Sequence, residues 1–270
     1  SVSAMGFGGR WLAAGRTVLD RIESTQMDAI AVVAELSADA IGAGGMVHLF
    51  GTGHSRIPLE EMFPRYGSYP GFHPMAELSM TFHTQVTGVN GQRQAMYIER
   101  VPGLAEVILS NFEFGPDDVM MVFSSSGRTA VPIEIAMGAQ DRGMTVVAVT
   151  AVEHSMAGSS EHPSGTRLLD HADIVIDICI PIGDAAVHLD GVDTPVGPVS
   201  TVANAAIVNE IKVQTAAILV ERGQLPPVIT SSSVVGAQRS AELFDGAYAE
   251  HARRLARLAF TDHRPSGESP

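Results

Sequence analysis

Two short stretches of the sequence combine glycine with hydroxyl side chains directly after an apolar run. The second stretch follows the apolar run 119–123, precedes a helical pattern over 131–139, and consists of Ser124, Ser125, Ser126, Gly127, Arg128 and Thr129. The N–H groups in the first turn of a helix lack intrahelical partners, and with nearby hydroxyl donors they suit phosphate oxygens. The pattern therefore predicts a phosphate-binding loop, with an ordinary strand-to-helix turn as the alternative.

The first stretch has the same organisation. It follows the apolar run 47–50, precedes a helical pattern over 56–66, and consists of Gly51, Thr52, Gly53, His54 and Ser55. Neither stretch contains the Gly-Lys-Ser/Thr of a Walker A loop, and neither has the third glycine of a dinucleotide fingerprint. We therefore expect the two loops to hold one small phosphorylated ligand rather than a nucleotide.

Glutamates near the two loops are the first candidates for acid–base chemistry. Glu60 and Glu61 fall in the helix predicted after the first loop, Glu77 follows a Gly- and Pro-rich connection, and Glu99 precedes the second loop's strand. Neighbouring residues on a helix point about 100° apart, so at most one of the adjacent pair faces a site. Apolar residues flank this pair, which predicts a raised carboxyl pKa of the kind a general acid or base needs. A solvated surface glutamate is the alternative reading for each position.

Three further polar residues are candidates for ligand contacts. His54 either binds substrate or packs the first loop, and His83 either belongs to the site or is structural. Ser200 begins the clearest helical pattern, over 200–221, where it lines a binding wall or caps the helix. The sequence has no His or Cys spacing typical of a metal site, so we expect no metal and no cofactor.

The composition predicts a well-buried globular protein with excess negative charge. Lys and Arg number 17 against 30 Asp and Glu, which gives a formal net charge of -13. Such a charge argues against nucleic acid or an anionic membrane surface as a partner. No apolar run approaches the roughly 18 residues of a membrane span, and the one cysteine, Cys179, cannot form an internal disulfide. A cytoplasmic location is therefore expected.

Strand and helix patterns alternate along the chain. Apolar strands are predicted at 46–50, 119–123, 145–150 and 174–180, with helices between them. Continuous apolar strands in this order indicate an α/β protein with a doubly wound parallel sheet, covered by helices on both faces. In such folds ligands bind at the carboxyl ends of the strands, where both loops are expected.

The regions outside these strands complete the predicted organisation. One or two helices precede the first strand over 11–43, a helix follows over 238–260, and the end of the chain is expected to be disordered. The predicted division is a helical segment at 1–45, the sheet-containing domain at 46–235, and a C-terminal helix with a tail at 236–270.

The paired loops resemble those of the sugar isomerase (SIS) domain family, and the resemblance extends over about 46–223. That family binds phosphosugars on a flavodoxin-like three-layer sandwich and usually dimerises, so the resemblance implies a phosphosugar ligand and a homodimer or higher homo-oligomer. Ser-Gly-Arg-Thr at 126–129 is similar to the form in N-acetylmuramic acid 6-phosphate etherases. Segment 61–67 resembles the part of the etherases that carries a catalytic glutamate, here Glu61, and Glu99 stands roughly where a second etherase glutamate does.

The wider pattern resembles a small SIS branch in which one actinobacterial member type is an N-acetylglucosamine 6-phosphate dehydratase. Glu77 instead resembles the base of SIS aldose–ketose isomerases. Elimination and isomerisation both use a carboxylate base and a phosphate anchor, and neither requires a metal. We therefore expect a lyase that removes water across carbons 2 and 3 of an N-acetylamino sugar 6-phosphate, with Glu61 and Glu77 as acid/base pair and Glu99 third. A phosphosugar isomerase and a non-catalytic phosphosugar sensor are the alternatives.

Overall fold

The chain folds around a five-stranded parallel sheet. The structure, a computed structural model, describes residue 6 and residues 8–81 and 91–259; His83 and the predicted disordered tail lie outside these residues. The strands are β1 Val47–Gly51, β2 Phe72–Met75, β3 Val119–Phe123, β4 Thr145–Thr150 and β5 Ile174–Asp177. They lie in the order β2-β1-β3-β4-β5, and every neighbouring pair is parallel. The predicted α/β class and parallel sheet are confirmed.

Two of the three interior strands, β1 and β3, are buried along their whole length, as their apolar sequences predict. β1 and β3 are covered at every residue, because helices pack on both faces of the sheet. β5 ends at Asp177, three residues earlier than expected. Cys179 has a φ of 58°, and this left-handed backbone conformation does not continue a strand ladder.

Helices cover both faces of the sheet. Their bounds are α1 Arg10–Thr25, α2 Met27–Gly42, α3 Ile57–Met62, α4 Leu78–Thr81, α5 Gly91–Ile98, α6 Leu104–Leu109, α7 Ala130–Asp141, α8 Val152–Met156, α9 Ser200–Glu221, α10 Ser232–Val235 and α11 Ala237–Ala256. Between β5 and α9, β6 Ala185–Val187 and β7 Val196–Pro198 form an antiparallel hairpin. Within the described residues, none of these helices combines the length and the apolar character that crossing a bilayer would require.

Alternating side chains of β3 divide the core into two layers. Met121 packs in the cluster that also contains residues of α1, α2 and α9. Met120 packs in the other cluster, with residues of α6 and α7. The N-terminal helices thus share one core with the sheet, through Val18 of α1 and Ile30 of α2. The division of the chain at residue 45 stays a prediction.

Gly51, at the end of β1, lets the chain fold back closely on the strand. A Cβ atom at this position would lie 2.4 Å from the carbonyl oxygen of Ser55. The first loop therefore depends on the absence of a side chain at residue 51.

We predict that Gly51→Ala lowers the free energy of unfolding by about 2 kcal/mol, because the Ser55 carbonyl must move. Gly15→Ala is the matched control. Gly15 lies within α1, where an added Cβ meets nothing within 4 Å, so alanine there is expected to stabilise the protein by up to about 1 kcal/mol. Urea denaturation of both variants measures the two effects, and equal shifts of the same sign would contradict this account of Gly51.

Candidate functional site

The first loop is a tight turn at the carboxyl end of β1. A single 3-10 turn, Gly53–Arg56, connects the strand to α3. Gly53 has a φ of 55°, in the left-handed region that favours glycine. The Ser55 N–H donates to the Thr52 carbonyl at 3.0 Å. This geometry gathers Thr52, Gly53, His54 and Ser55 at one edge of the sheet, with Thr52 buried beneath the others.

The second loop leaves β3 beside the first. β1 and β3 pair in parallel with Gly51 opposite Phe123, so both loops emerge at the same edge of the sheet. Within the second loop the Gly127 N–H donates to the Ser124 hydroxyl at 3.0 Å, and Gly127 has a φ of 57°. The extended residue Thr129 then begins α7 without making a side-chain cap. The N–H groups at the start of α7 therefore lie next to the hydroxyls of the second loop.

Glu99 lies at the junction of the two loops. Its carboxylate accepts a hydrogen bond from the Thr52 hydroxyl at 2.6 Å. Its carbonyl oxygen accepts the N–H of Val131, in the first turn of α7, at 2.9 Å. Burial raises the pKa of Glu99, and it outweighs the opposing effects of the Thr52 hydrogen bond and the Arg100 charge. A carboxyl group that is held between the two loops with a raised pKa suits proton transfer.

The cleft beside Glu99 has a volume of about 100 Å³ and is lined by Gly53, His54, Met80, Gln92, Ala95, Met96 and Glu99. Gln92 was not among the predicted site residues. It lies seven positions before Glu99, and this spacing places both side chains on one face of the helical segment that includes α5. The seven-residue spacing of Gln92 and Glu99 is visible in the sequence. It could not be used, because the polar composition of segment 89–100 does not clearly predict a helix.

Glu61 lies at a separate groove next to α9. Its carboxylate accepts hydrogen bonds from Arg65 at 2.5 Å and from Asn209 at 2.9 Å. Its carbonyl oxygen accepts from the Lys212 ammonium at 2.6 Å. Burial acts to raise the pKa of Glu61, but the hydrogen bonds from Asn209 and Arg65 outweigh it, and the pKa lies below the usual value. The raised pKa expected from the apolar neighbours is therefore wrong for Glu61.

The groove at Glu61 is the larger of the two cavities described so far, at about 550 Å³. Glu60 and Arg65 also line it, and its apolar wall includes Tyr66, Phe244 and Tyr248. The Phe244 and Tyr248 rings stack with their centroids 5.1 Å apart. Both members of the adjacent glutamate pair therefore reach this groove, whereas the helical spacing had predicted that at most one would face a site.

Glu77 occupies a third position, at the carboxyl end of β2. Its carboxylate accepts hydrogen bonds from the Ser79 hydroxyl at 2.6 Å and from the Met80 N–H at 3.1 Å. These contacts cap α4. Glu77 also lines a cleft different from those of Glu99 and Glu61. The structure does not bring the expected pair of Glu61 and Glu77 together in one cavity.

Ser200 is engaged in forming the start of α9. Its hydroxyl donates to Asp184 at 2.6 Å, and the same carboxylate accepts the N–H groups of Ser200 and Val199 at 2.7 and 2.9 Å. Asp184 therefore caps this helix. The predicted serine cap is wrong, because the capping carboxylate comes from a residue 16 positions earlier in the chain.

The remaining residues of the second loop connect it to β4 and to the segment after α8. The Ser125 carbonyl accepts the Ala151 N–H at 3.1 Å. The Arg128 guanidinium packs against Gly158 so closely that a Cβ there would overlap it, and the Arg128 Nε atom is buried without a hydrogen-bond partner. Ser126 is half-buried at the loop surface. Within residues 8–81 and 91–259, no group of His, Cys, Asp and Glu has a metal-binding arrangement.

The parallel sheet and the paired loops define a class of protein. Comparison with known proteins identifies this class. A model of the SIS domain matches residues 10–151, and the chain therefore belongs to the SIS domain family. A solved structure, the phosphoheptose isomerase of Francisella tularensis, superimposes with a TM-score of 0.52. The superposition covers 79% of this chain and 98% of that chain at 15% sequence identity, so the similarity concerns the fold alone.

Proteins named UPF0309 are similar to most of this chain. One from Streptomyces coelicolor is 35% identical over 230 residues, which are 84% of this chain and 89% of that protein. One from Geobacillus kaustophilus is 34% identical over 219 residues, which are 81% of this chain and 85% of that protein. The resemblance to etherases and to a dehydratase stays a prediction.

We predict that Thr52→Val raises the pKa of Glu99 further. The Thr52 hydrogen bond favours the ionised carboxylate and lowers the pKa of Glu99, whereas burial raises it. Without this hydrogen bond, burial raises the pKa further. Titration of the Glu99 carboxyl carbon by NMR in glutamate-labelled protein measures the shift. Thr52→Ser keeps a hydroxyl and is the matched control. An unchanged pKa in the valine variant would show that the hydrogen bond does not act on Glu99 in solution.

Proposed function

We propose that this protein is a phosphosugar lyase that removes water from an N-acetylamino sugar 6-phosphate such as N-acetylglucosamine 6-phosphate. The observation that carries the proposal is the position of Glu99, hydrogen-bonded through its side chain to the first loop and through its carbonyl oxygen to the helix that follows the second. Membership of the SIS domain family supports a phosphosugar ligand, and the name of the Francisella tularensis neighbour describes an enzyme of phosphorylated sugars.

The two loops are the proposed phosphate anchor. The hydroxyls of Ser55, Ser124, Ser126 and Thr129 are donors that suit phosphate oxygens. The net charge of -13 works against an anionic ligand, so these local donors must supply the attraction. An anchored phosphate leaves the other end of an open-chain sugar to be oriented against a carboxyl group.

Two glutamates have pKa values displaced in opposite directions, which is the arrangement expected of an acid and a base. The pKa of Glu61 is lowered, so it is ionised at neutral pH and is the proposed base. The pKa of Glu99 is raised, so it retains a proton more readily and is the proposed acid. Glu61 and Glu99 line separate cavities, so the proposal requires the bound sugar to extend from one to the other across the first loop. Glu61 lies on α3, which continues directly from that loop, and Glu99 contacts the loop at Thr52.

The proposed reaction begins from the open-chain aldehyde. Glu61 takes the proton from carbon 2, and the bonding electrons form an enolate with the aldehyde oxygen. The enolate electrons then form a double bond between carbons 2 and 3. The hydroxyl on carbon 3 leaves as water with the proton of Glu99. The net change is the loss of one water molecule, and the product is an unsaturated aldehyde that absorbs ultraviolet light. The acetylated nitrogen on carbon 2 disfavours simple formation of a ketose.

We predict that the protein converts N-acetylglucosamine 6-phosphate to a product lighter by one water, and that Glu99→Gln lowers kcat/KM by roughly 10²–10⁴-fold. Glu61→Gln is expected to lower kcat/KM by a factor in the same range. Glu77→Gln is the matched control and is expected to retain activity within about tenfold, since its carboxylate caps α4. Ultraviolet absorbance and mass spectrometry of the product follow the reaction.

Each alternative function gives a different result in the same assay. A product of unchanged mass, formed from unacetylated sugar phosphates and abolished by Glu77→Gln, would replace the lyase with an isomerase. Saturable binding with no turnover of any sugar phosphate would replace it with a phosphosugar sensor. Full activity of Glu99→Gln would remove Glu99 from the mechanism.

A further inference from the structure

A chain of buried hydrogen bonds links Asp118, which directly precedes β3, to His48 of β1 and His73 of β2. His48 is fully buried, and its Nε2 atom lies 2.9 Å from Asp118 Oδ2. The His48 Nδ1 atom lies 2.9 Å from His73 Nδ1. Asp118 also accepts the N–H groups of Met46 and Gly115, at 2.8 and 2.7 Å. Neither histidine takes part in the proposed reaction.

The surroundings of His73 keep its ring neutral. The pKa of Asp118 is lowered, because its hydrogen bonds from His48 and the backbone outweigh burial, so the carboxylate is ionised and only accepts. His48 Nε2 therefore donates to Asp118. Burial, together with the charges of His48 and His251, lowers the pKa of His73 to about 3, so its ring is neutral.

His73 lines a cleft of about 380 Å³ that also contains Glu77 and Asn111. The Asn111 amide nitrogen donates to the carbonyl oxygens of Val107 and Ile108, at 3.1 and 3.2 Å, which leaves its amide oxygen for a ligand. The Glu77 carboxylate accepts two hydrogen bonds and has further acceptor capacity. Two polar side chains of this cleft thus offer acceptors, and one of them carries a negative charge.

The rest of the lining is apolar and carries no positive charge. Leu104, Val107 and Phe112 form much of the wall, and no lysine or arginine lines the cleft in the part of the chain that the structure describes. An anionic ligand would meet Glu77 without a counter-charge. A ligand with several N–H donors, a positive charge and an apolar body donates hydrogen bonds to these acceptors and packs against the apolar wall. The neutral His73 ring does not repel its positive charge.

We propose that this cleft, defined by His73, Glu77 and Asn111, binds a small organic ammonium ion whose apolar body packs against α6. The ammonium group donates to the Glu77 carboxylate and to the Asn111 amide oxygen, and the apolar body lies beside the neutral His73 ring. The site is separate from the cleft of Glu99 and the groove of Glu61, and it does not depend on the proposed enzymatic function.

The test is isothermal titration of the full chain with cyclohexylammonium chloride, cyclohexanol and sodium cyclohexanecarboxylate. We expect the ammonium ion to bind with 1:1 stoichiometry at least about tenfold more tightly than the alcohol, and the carboxylate not to bind. Glu77→Gln is expected to weaken ammonium binding by about tenfold. Val107 is 62% exposed, so Val107→Lys changes the rim of the cleft without disturbing the core, and its competing ammonium is expected to weaken binding similarly.

Glu60→Gln is the matched control, because it removes one carboxylate from the other groove. This variant is expected to bind cyclohexylammonium as the unaltered protein does. Absence of saturable binding, equal affinity for the alcohol, or equal loss in Glu60→Gln and Glu77→Gln would each overturn the proposal. Full binding by Val107→Lys would place the ammonium ion elsewhere and would overturn it as well.

Discussion

The parallel pairing of β1 with β3 is the constraint on which the candidate site depends. Because Gly51 lies opposite Phe123, the loops that follow these strands emerge side by side at one edge of the sheet. The pairing in turn depends on apolar side chains that fill both faces of the two strands. Glu99 connects the two loops through Thr52 and Val131, so the position of its carboxylate is determined by the sheet as well as by its own helix.

Neighbouring polar groups, rather than burial alone, decide the different properties of the glutamates. Glu61 and Glu99 both lose hydration, which raises a carboxyl pKa. Glu61 accepts hydrogen bonds from Arg65 and Asn209 that reverse this effect. Glu99 accepts from Thr52 and lies beside Arg100, and there burial prevails. The pKa values of two carboxyl groups near one loop are thus shifted in opposite directions, which is the basis for assigning them different roles.

Local sequence patterns predicted four of the five strands of the parallel sheet, the two loops and most helices, because those patterns report burial over a few neighbouring residues. The runs 119–123 and 145–150 became β3 and β4 with the expected bounds. The helix of residues 91–98 was not predicted because it is short and polar on average, and Gln92 was missed with it. The predicted serine cap of α9 was wrong because the carboxylate of Asp184, which is distant in sequence, accepts the N–H groups at the start of this helix.

The sequence by itself determined the α/β class, the parallel sheet, the two hydroxyl-bearing loops and the glutamates nearest to them. Only the tertiary structure decided that Glu99 joins the loops, that Glu61 is surrounded by hydrogen-bond donors, and that Glu77 faces a different cleft with His73. The physical reason is that strand and loop signals arise from neighbouring residues, whereas the pKa and partners of a carboxyl group depend on side chains brought from distant parts of the chain. Asn209 and Glu61, 148 positions apart, are one such pair.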